Sequence, residues 1–171
     1  MTYEIRLSEP QDFARFGAIE KAAGSLFIDA GLAEIASHEP TDTEFVEAAA
    51  RAGAVFVATA DGAPIGFILS APFDRHMHIF ELSVHPVHGK KGLGRKLVEA
   101  VCGWSKDEGF EAVTLSTFRD LPWNGPFYLS CGFRELERHE WTPALLLAHY
   151  HEEDLGPVSF PHLPLPTIPL G

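Results

Sequence analysis

Residues 82–104, LSVHPVHGKKGLGRKLVEAVCGW, decide how the whole chain is read. An apolar run ends at Val84. A loop follows in which Gly89, Gly92 and Gly94 stand among Lys90, Lys91, Arg95 and Lys96, and then Leu93, Leu97, Val98, Val101 and Trp104 recur at helical spacing. A strand, a small cationic loop and the start of a helix together suit a phosphate-bearing ligand. The first helical N–H groups lack partners, the helix dipole is positive there, and glycines let an anion approach the backbone. The plainer reading of the same residues is a solvated glycine turn with ordinary surface lysines.

Two phosphate-binding patterns can be tested here and fail. Gly89 and Gly94 have P-loop spacing, but Arg95-Lys96 stands where a lysine and then a hydroxyl residue are needed for phosphate and magnesium. Gly92-Leu93-Gly94 begins a dinucleotide fingerprint, yet Leu97 occupies the third glycine position, and Glu111 would start its strand, where a ribose-binding acid should end one.

Composition narrows the partners. The chain has 171 residues, 46% of them hydrophobic, which is enough for one domain with a sizeable core. A net charge of −11 argues against nucleic acid and against an anionic membrane surface. The opening MTYEIRLSEPQD has no apolar signal core, and no uninterrupted apolar run is long enough to span a bilayer, so a cytoplasmic protein is expected. Cys102 and Cys131 fall in different elements without metal-like spacing and are read as reduced thiols.

Along the chain, strands and helices mix. YEIRL (3–7) alternates as a strand, and Ser8 with Gln11 predicts a capped helix to about Ala23. Residues 24–39 read as a short helix between loops, and Thr41 with Glu44 predicts a helix to about Ala52. Two strands flank the turn pair Asp61-Gly62, and a third runs from about His78 to Val84. After the helix from Leu93 to near Gly109 come a strand at 111–118, a short helix capped by Asn124 and a strand at FREL (133–136). A last helix runs from Thr142-Pro143 to about Asp154. The fold class is therefore α/β, with a mainly antiparallel sheet flanked by helices. Residues 1–154 form the domain, and 155–171 form a proline-rich tail that lies on a surface, lies on a neighbouring subunit, or is a disordered end.

ELSVHPVHGKKGLGRKLVEAV resembles the acetyl-CoA-binding segment of the GNAT superfamily of N-acetyltransferases: a strand ending in Val-x-Pro, a loop of the form Gln/Arg-x-x-Gly-x-Gly/Ala, and a helix. FYLSCGF matches the family's Tyr-x-x-x-Gly-Phe, and together the likeness covers about residues 3 to 141. Gly89 replaces the usual Gln or Arg, and Lys90 stands where a glycine is common. Leu121 replaces an Asn seven residues before the tyrosine, which leaves Asn124 as a helix cap first and a cofactor contact second.

The resemblance implies acetyl transfer from acetyl-CoA to an amine, without a metal. The cosubstrate would lie against Leu82, Ser83, Val84, Gly89, Lys90, Lys91, Gly92, Leu93, Gly94, Arg95, Asn124, Phe127 and Tyr128. Glu81 reads as the general base, directly or through water, or else as a surface carboxylate. Val84 N–H reads as the oxyanion donor. Tyr128 reads as the acid that protonates the leaving thiolate, or as a packed aromatic. A small-molecule amine ranks ahead of a protein amine as acceptor, and the likeness makes a homodimer reasonable. The competing class is a non-catalytic acyl-CoA-binding or sensor module of the same fold. The His76-x-His78 and His149-x-His151 pairs lack a third partner for a metal, His85 and His88 read as exposed loop residues, and Cys131 as a small apolar one. Trp123 and Phe127 serve either the pocket wall or the core.

Overall fold

A computed structural model describes residues 1–29, 41–118, 125–134, 136, 139, 143 and 162–169. In chain order the elements are β1 (Tyr3–Leu7), α1 (Phe13–Asp29), α2 (Thr43–Arg51), β2 (Val55–Ala60), β3 (Ala63–Phe73), β4 (His76–Val84), α3 (Leu93–Asp107), β5 (Ala112–Phe118), α4 (Gly125–Ser130) and β6 (His162–Pro169). The fold is α/β, a mixed and mainly antiparallel sheet with strand order β1-β2-β3-β4-β5-β6, accompanied by helices. β1 with β2, β2 with β3, and β5 with β6 run antiparallel. β4 and β5 are parallel, as the crossover through α3 requires. The chain parts into two compact units, one holding Met1–Ser70 with Glu81–Val101 and the other Ala71–Phe80 with Cys102–Gly171.

In the first unit, the continuous buried runs of β2 and β3, covered on both faces, and the i, i+4 stripe of α3 supply the core. Val55, Val57, Phe67, Ile68, Leu69, Leu97, Val98 and Val101 are all essentially inaccessible. Phe16 of α1 stacks on Phe67 of β3 with ring centroids 4.1 Å apart, which fastens the helix to the sheet. Each such side chain contributes about 1.5–3 kcal/mol by leaving water. β2 and β3 are joined at Asp61 and Gly62, both at positive φ, the two-residue turn that the Asp-Gly pair predicts. In the second unit, Met77, Ile79, Ala112, Val113, Leu115 and Phe133 are buried. His78 is buried among Phe73 and Phe80, with Nδ1 2.8 Å from Thr114 Oγ1. Desolvation, then the neighbouring His76, pushes its pKa down to about 4, so this histidine is a neutral core residue.

Several expectations change. The turn before α1 is not capped by Ser8. Glu9 is the cap, and its N–H donates to Asp12 Oδ2 at 2.7 Å, while Arg6 grips both oxygens of Asp12 at 2.8 and 3.0 Å. That carboxyl is almost inaccessible. Burial opposes its ionisation, but the Arg6 and Glu9 donors together outweigh burial and its pKa lies below the usual value. α1 runs on to Asp29, so the first residues expected to form a separate short helix belong to it. α2 is capped by Asp42, whose side chain accepts from Glu44 N–H at 2.8 Å, and not by Thr41. Phe133, Arg134 and Leu136 lie outside any strand. The Asn124 cap and most of the last helix lie outside the described residues. Within the tail, His162–Pro169 forms β6 against β5, and as the last strand of the order it tolerates prolines that cannot donate to a ladder.

Candidate active site

β4 aims Glu81 and Ser83 the same way, because residues two apart on a strand share a face. The Ser83 hydroxyl donates to Glu81 Oε1 at 2.6 Å. A second carboxyl, that of Glu20 on α1, acts electrostatically on Glu81 here. Glu20 is in turn held at both oxygens by one residue, Thr41, through the backbone N–H at 2.9 Å and the hydroxyl at 2.7 Å. Burial is the largest influence on Glu81, opposed by the Ser83 hydroxyl. The charge and hydrogen bond of Glu20 then add to burial, the Leu82 N–H works against them, and the pKa is pushed up to about 8. Although the residue is only half-buried overall, its carboxyl therefore keeps a proton at neutral pH.

Close backbone approach fixes this end of β4. A Cβ on Gly66 of β3 would stand 3.1 Å from both Ser83 O and Val84 Cγ2, so only glycine fits without displacement. His85 N–H donates to Ile65 O at 2.8 Å, which carries the pairing just past Val84. On the other edge of β4, the parallel register with β5 runs from His76↔Ala112 to Ile79↔Leu115 and ends before Glu81.

The loop is more ordered than a glycine turn. Pro86–His88 makes a 3-10 turn in which His85 Nδ1 accepts from Val87 N–H at 3.2 Å, and Gly89 N–H donates to Pro86 O at 3.0 Å. His88 is not a free loop histidine. Its Nδ1 lies 3.0 Å from the Tyr3 hydroxyl, which ties the loop to β1. Lys90 sits at φ 59, the left-handed region, at a strain cost of about 1 kcal/mol for a residue with a Cβ. Gly92, at φ 76, is the N-cap of α3, its carbonyl accepting from Lys96 N–H at 3.1 Å. The N–H groups of Leu93 and Gly94 therefore have no helical carbonyl behind them, and exposed Lys90, Lys91, Arg95 and Lys96 surround this helix start.

Glu81, Leu82, Ser83, Val84 and residues 89–95 thus gather in the first unit, at the end of β4 and the start of α3. Tyr128 and Phe127 lie on α4 in the second unit, where buried Tyr128 makes edge contacts with Phe127 and Phe133. Asn124 and Trp123 lie outside the described residues. Sequence reasoning missed Glu20 and Thr41. Glu20 looked like one more helix-surface acid and Thr41 like a cap, and no local spacing joins either to Glu81.

Residues 22–133 match the acetyltransferase (GNAT) family. Among solved structures, the chain is similar to the ribosomal-protein-S18-alanine N-acetyltransferase from Escherichia coli, with 17% identity, a TM-score of 0.66, and coverage of 99% of this chain and 95% of that one. It is similar also to the PaiA N-acetyltransferase from Thermoplasma acidophilum in complex with coenzyme A, at 18% identity and TM-score 0.63, covering 84% and 95%. A GNAT family acetyltransferase from Brucella melitensis in complex with acetyl-CoA is 25% identical, with TM-score 0.57 and coverage of 78% and 83%. The match spans well over half of the sequence and includes β4, the cationic loop and α3, and by it the chain belongs to the acetyltransferase (GNAT) family of acyltransferase enzymes.

Proposed function

We propose that this enzyme moves the acetyl group of acetyl-CoA to a small-molecule amine by direct attack, with Glu81 as general base. One observation carries the reading: the strand that bears Glu81 leads into a cationic, glycine-capped helix start, and it is the deprotonated form of Glu81, whose pKa is raised to about 8, that acts as the base. The diphosphate of the donor lies on the N–H groups from Lys90 to Arg95, with Leu82, Ser83 and Val84 along the pantetheine and Asn124, Phe127 and Tyr128 as further contacts. The helix start fits this group because it offers donors and positive charge without a carboxylate among residues 85–96.

The amine arrives as an ammonium and must lose a proton before attack. With an ordinary pKa of about 10.4 for a lysine-like amine, transfer to a carboxyl at about 8 costs roughly 3 kcal/mol, against about 8 kcal/mol for an ordinary glutamate. The nitrogen lone pair then adds to the thioester carbonyl, and the Val84 N–H receives the developing oxyanion. Collapse breaks the C–S bond, Tyr128 gives its proton to the CoA thiolate, and the second proton of the amine leaves to solvent, from which Tyr128 regains one. A net charge of −11 supports a cationic acceptor. The family likeness supports a cytoplasmic homodimer; sedimentation checks the dimer directly.

Calorimetric titration with acetyl-CoA, with CoA, ATP and NAD as comparisons, tests the donor site. Saturable acetyl-CoA binding, absent in a folded Gly92→Glu variant, is the expected result. No binding by the intact protein would leave the fold with another purpose. Binding without CoA release across a panel of small amines and peptides would favour the non-catalytic module.

A further inference from the structure

β1 stands first in the strand order, and its first residue reaches the loop between β4 and α3. The Tyr3 hydroxyl lies 3.0 Å from His88 Nδ1, and the two rings meet edge to face with centroids 5.7 Å apart. Both residues are half-buried, so their bond is partly shielded from water. Tyr3 is itself held in place. It pairs with Ala60, and its neighbour Thr2 accepts from Asp61 N–H and donates to Asp61 Oδ1, each at 2.8 Å, which fastens the start of β1 to the hairpin turn. On the loop side, His88 ends the 3-10 turn, its N–H donating to His85 O at 2.9 Å and its ring in edge contact with the His85 ring.

The residues that follow need such an anchor. Leu93 is buried and secures the far end, whereas Gly89, Lys90, Lys91 and Gly92 between His88 and Leu93 are all exposed. Lys90 holds a left-handed φ, and Lys91 puts a like charge beside it. A backbone path of that kind persists only where its surroundings fix it.

We propose that Tyr3 and His88 form a strut that holds residues 89–92 in the shape that receives the diphosphate of acetyl-CoA, both acting as positioning residues for the donor. This deepens the reading of the loop as the donor site and rests on it. The strut acts through the backbone. With His88 held, the donor meets a loop already ordered; without it, binding must also order four exposed residues.

The test is calorimetric titration of the full chain with acetyl-CoA, together with thermal unfolding of the ligand-free protein, for the wild type, Tyr3→Phe, His88→Leu and the double variant. Tyr3→Phe keeps the ring and removes only the hydroxyl. It should weaken binding about fivefold, as expected for the net loss of one hydrogen bond. His88→Leu should do at least as much, and the double variant no more than His88→Leu, because a strut broken at one end has nothing left to lose at the other. A merely structural role would lower the unfolding temperature and leave the Kd of the folded protein unchanged, so the affinity decides. Unchanged affinity in folded Tyr3→Phe, or losses that add in the double variant, overturns the strut and leaves the donor site intact. No saturable binding by the wild type, or binding that survives Gly92→Glu, removes the donor site and the strut with it. Should His88→Leu not fold, Tyr3→Phe against the wild type decides alone.

Discussion

Glu81 is held in a state that the unfolded chain does not share, and stability has to record it. Its ordinary value is 4.5 and its folded value about 8, so between these pH values the folded protein binds a proton that the unfolded chain has released. With more protons on the folded state, stability is full below about pH 4.5 and declines as pH rises through 8. Glu81→Gln removes that decline. We expect the variant to lose activity by roughly 10²–10⁴-fold, the usual range for a general base, while above pH 8 it gains at least about 1 kcal/mol over the wild type. Urea unfolding at pH 6 and pH 9 checks this, and a wild type equally stable at both pH values would contradict the raised pKa. Lys90 shows strain of another kind at the same site. Its φ of 59 lies in the left-handed region that favours glycine, so the turn is made here by a residue that carries a Cβ.

At the level of elements, α2 shows why local signals locate a helix more surely than its cap. Thr41, Asp42 and Thr43 are three consecutive residues able to cap, and the Thr41-to-Glu44 spacing favours the first. The chain uses Asp42 because the N–H and hydroxyl of Thr41 are engaged by Glu20, 21 residues earlier. Asp42→Ala should therefore cost about 1 kcal/mol of stability, by loss of the Glu44 N–H acceptor. Thr41→Ala should leave the helix content nearly unchanged, since its hydroxyl donates to Glu20 and caps nothing in α2. Denaturant midpoints and circular dichroism separate the two, and equal losses of helix would return the cap to Thr41. The same contrast governs what could be read from sequence. α3 was legible because Leu93, Leu97, Val98 and Val101 repeat at its own period, and all four are buried. The hairpin was legible because Asp61-Gly62 carries its turn in two residues. Glu81, Val84 and the loop were legible from a contiguous motif. Glu20 with Thr41, Arg6 with Asp12, and Tyr3 with His88 were not, since each needs a contact that no period encodes. The pairing of His162–Pro169 with β5 was hidden for a further reason: prolines suppress the strand signal everywhere except at an edge.

For the molecule as a whole, charge sets two fields against each other. The chain carries −11 in total, while Lys90, Lys91, Arg95 and Lys96 put four positive charges within seven residues at the helix start. A polyanionic donor approaching from a distance meets the total and is repelled; within a few ångströms it meets the loop and is attracted. Salt separates the two, because the screening length falls from about 30 Å at 0.01 M to about 10 Å at 0.1 M and removes the distant field first. The association rate of acetyl-CoA should then rise, roughly severalfold, over that range, whereas kcat/KM for a cationic amine should fall as its steering is lost. Stopped-flow binding and steady-state rates at matched ionic strengths measure both. Opposite slopes follow only if donor and acceptor carry opposite charge into one acidic protein. Slopes of the same sign would mean either that the basic loop governs approach at every distance, if both fall, or that the acceptor does not arrive as a cation, if both rise.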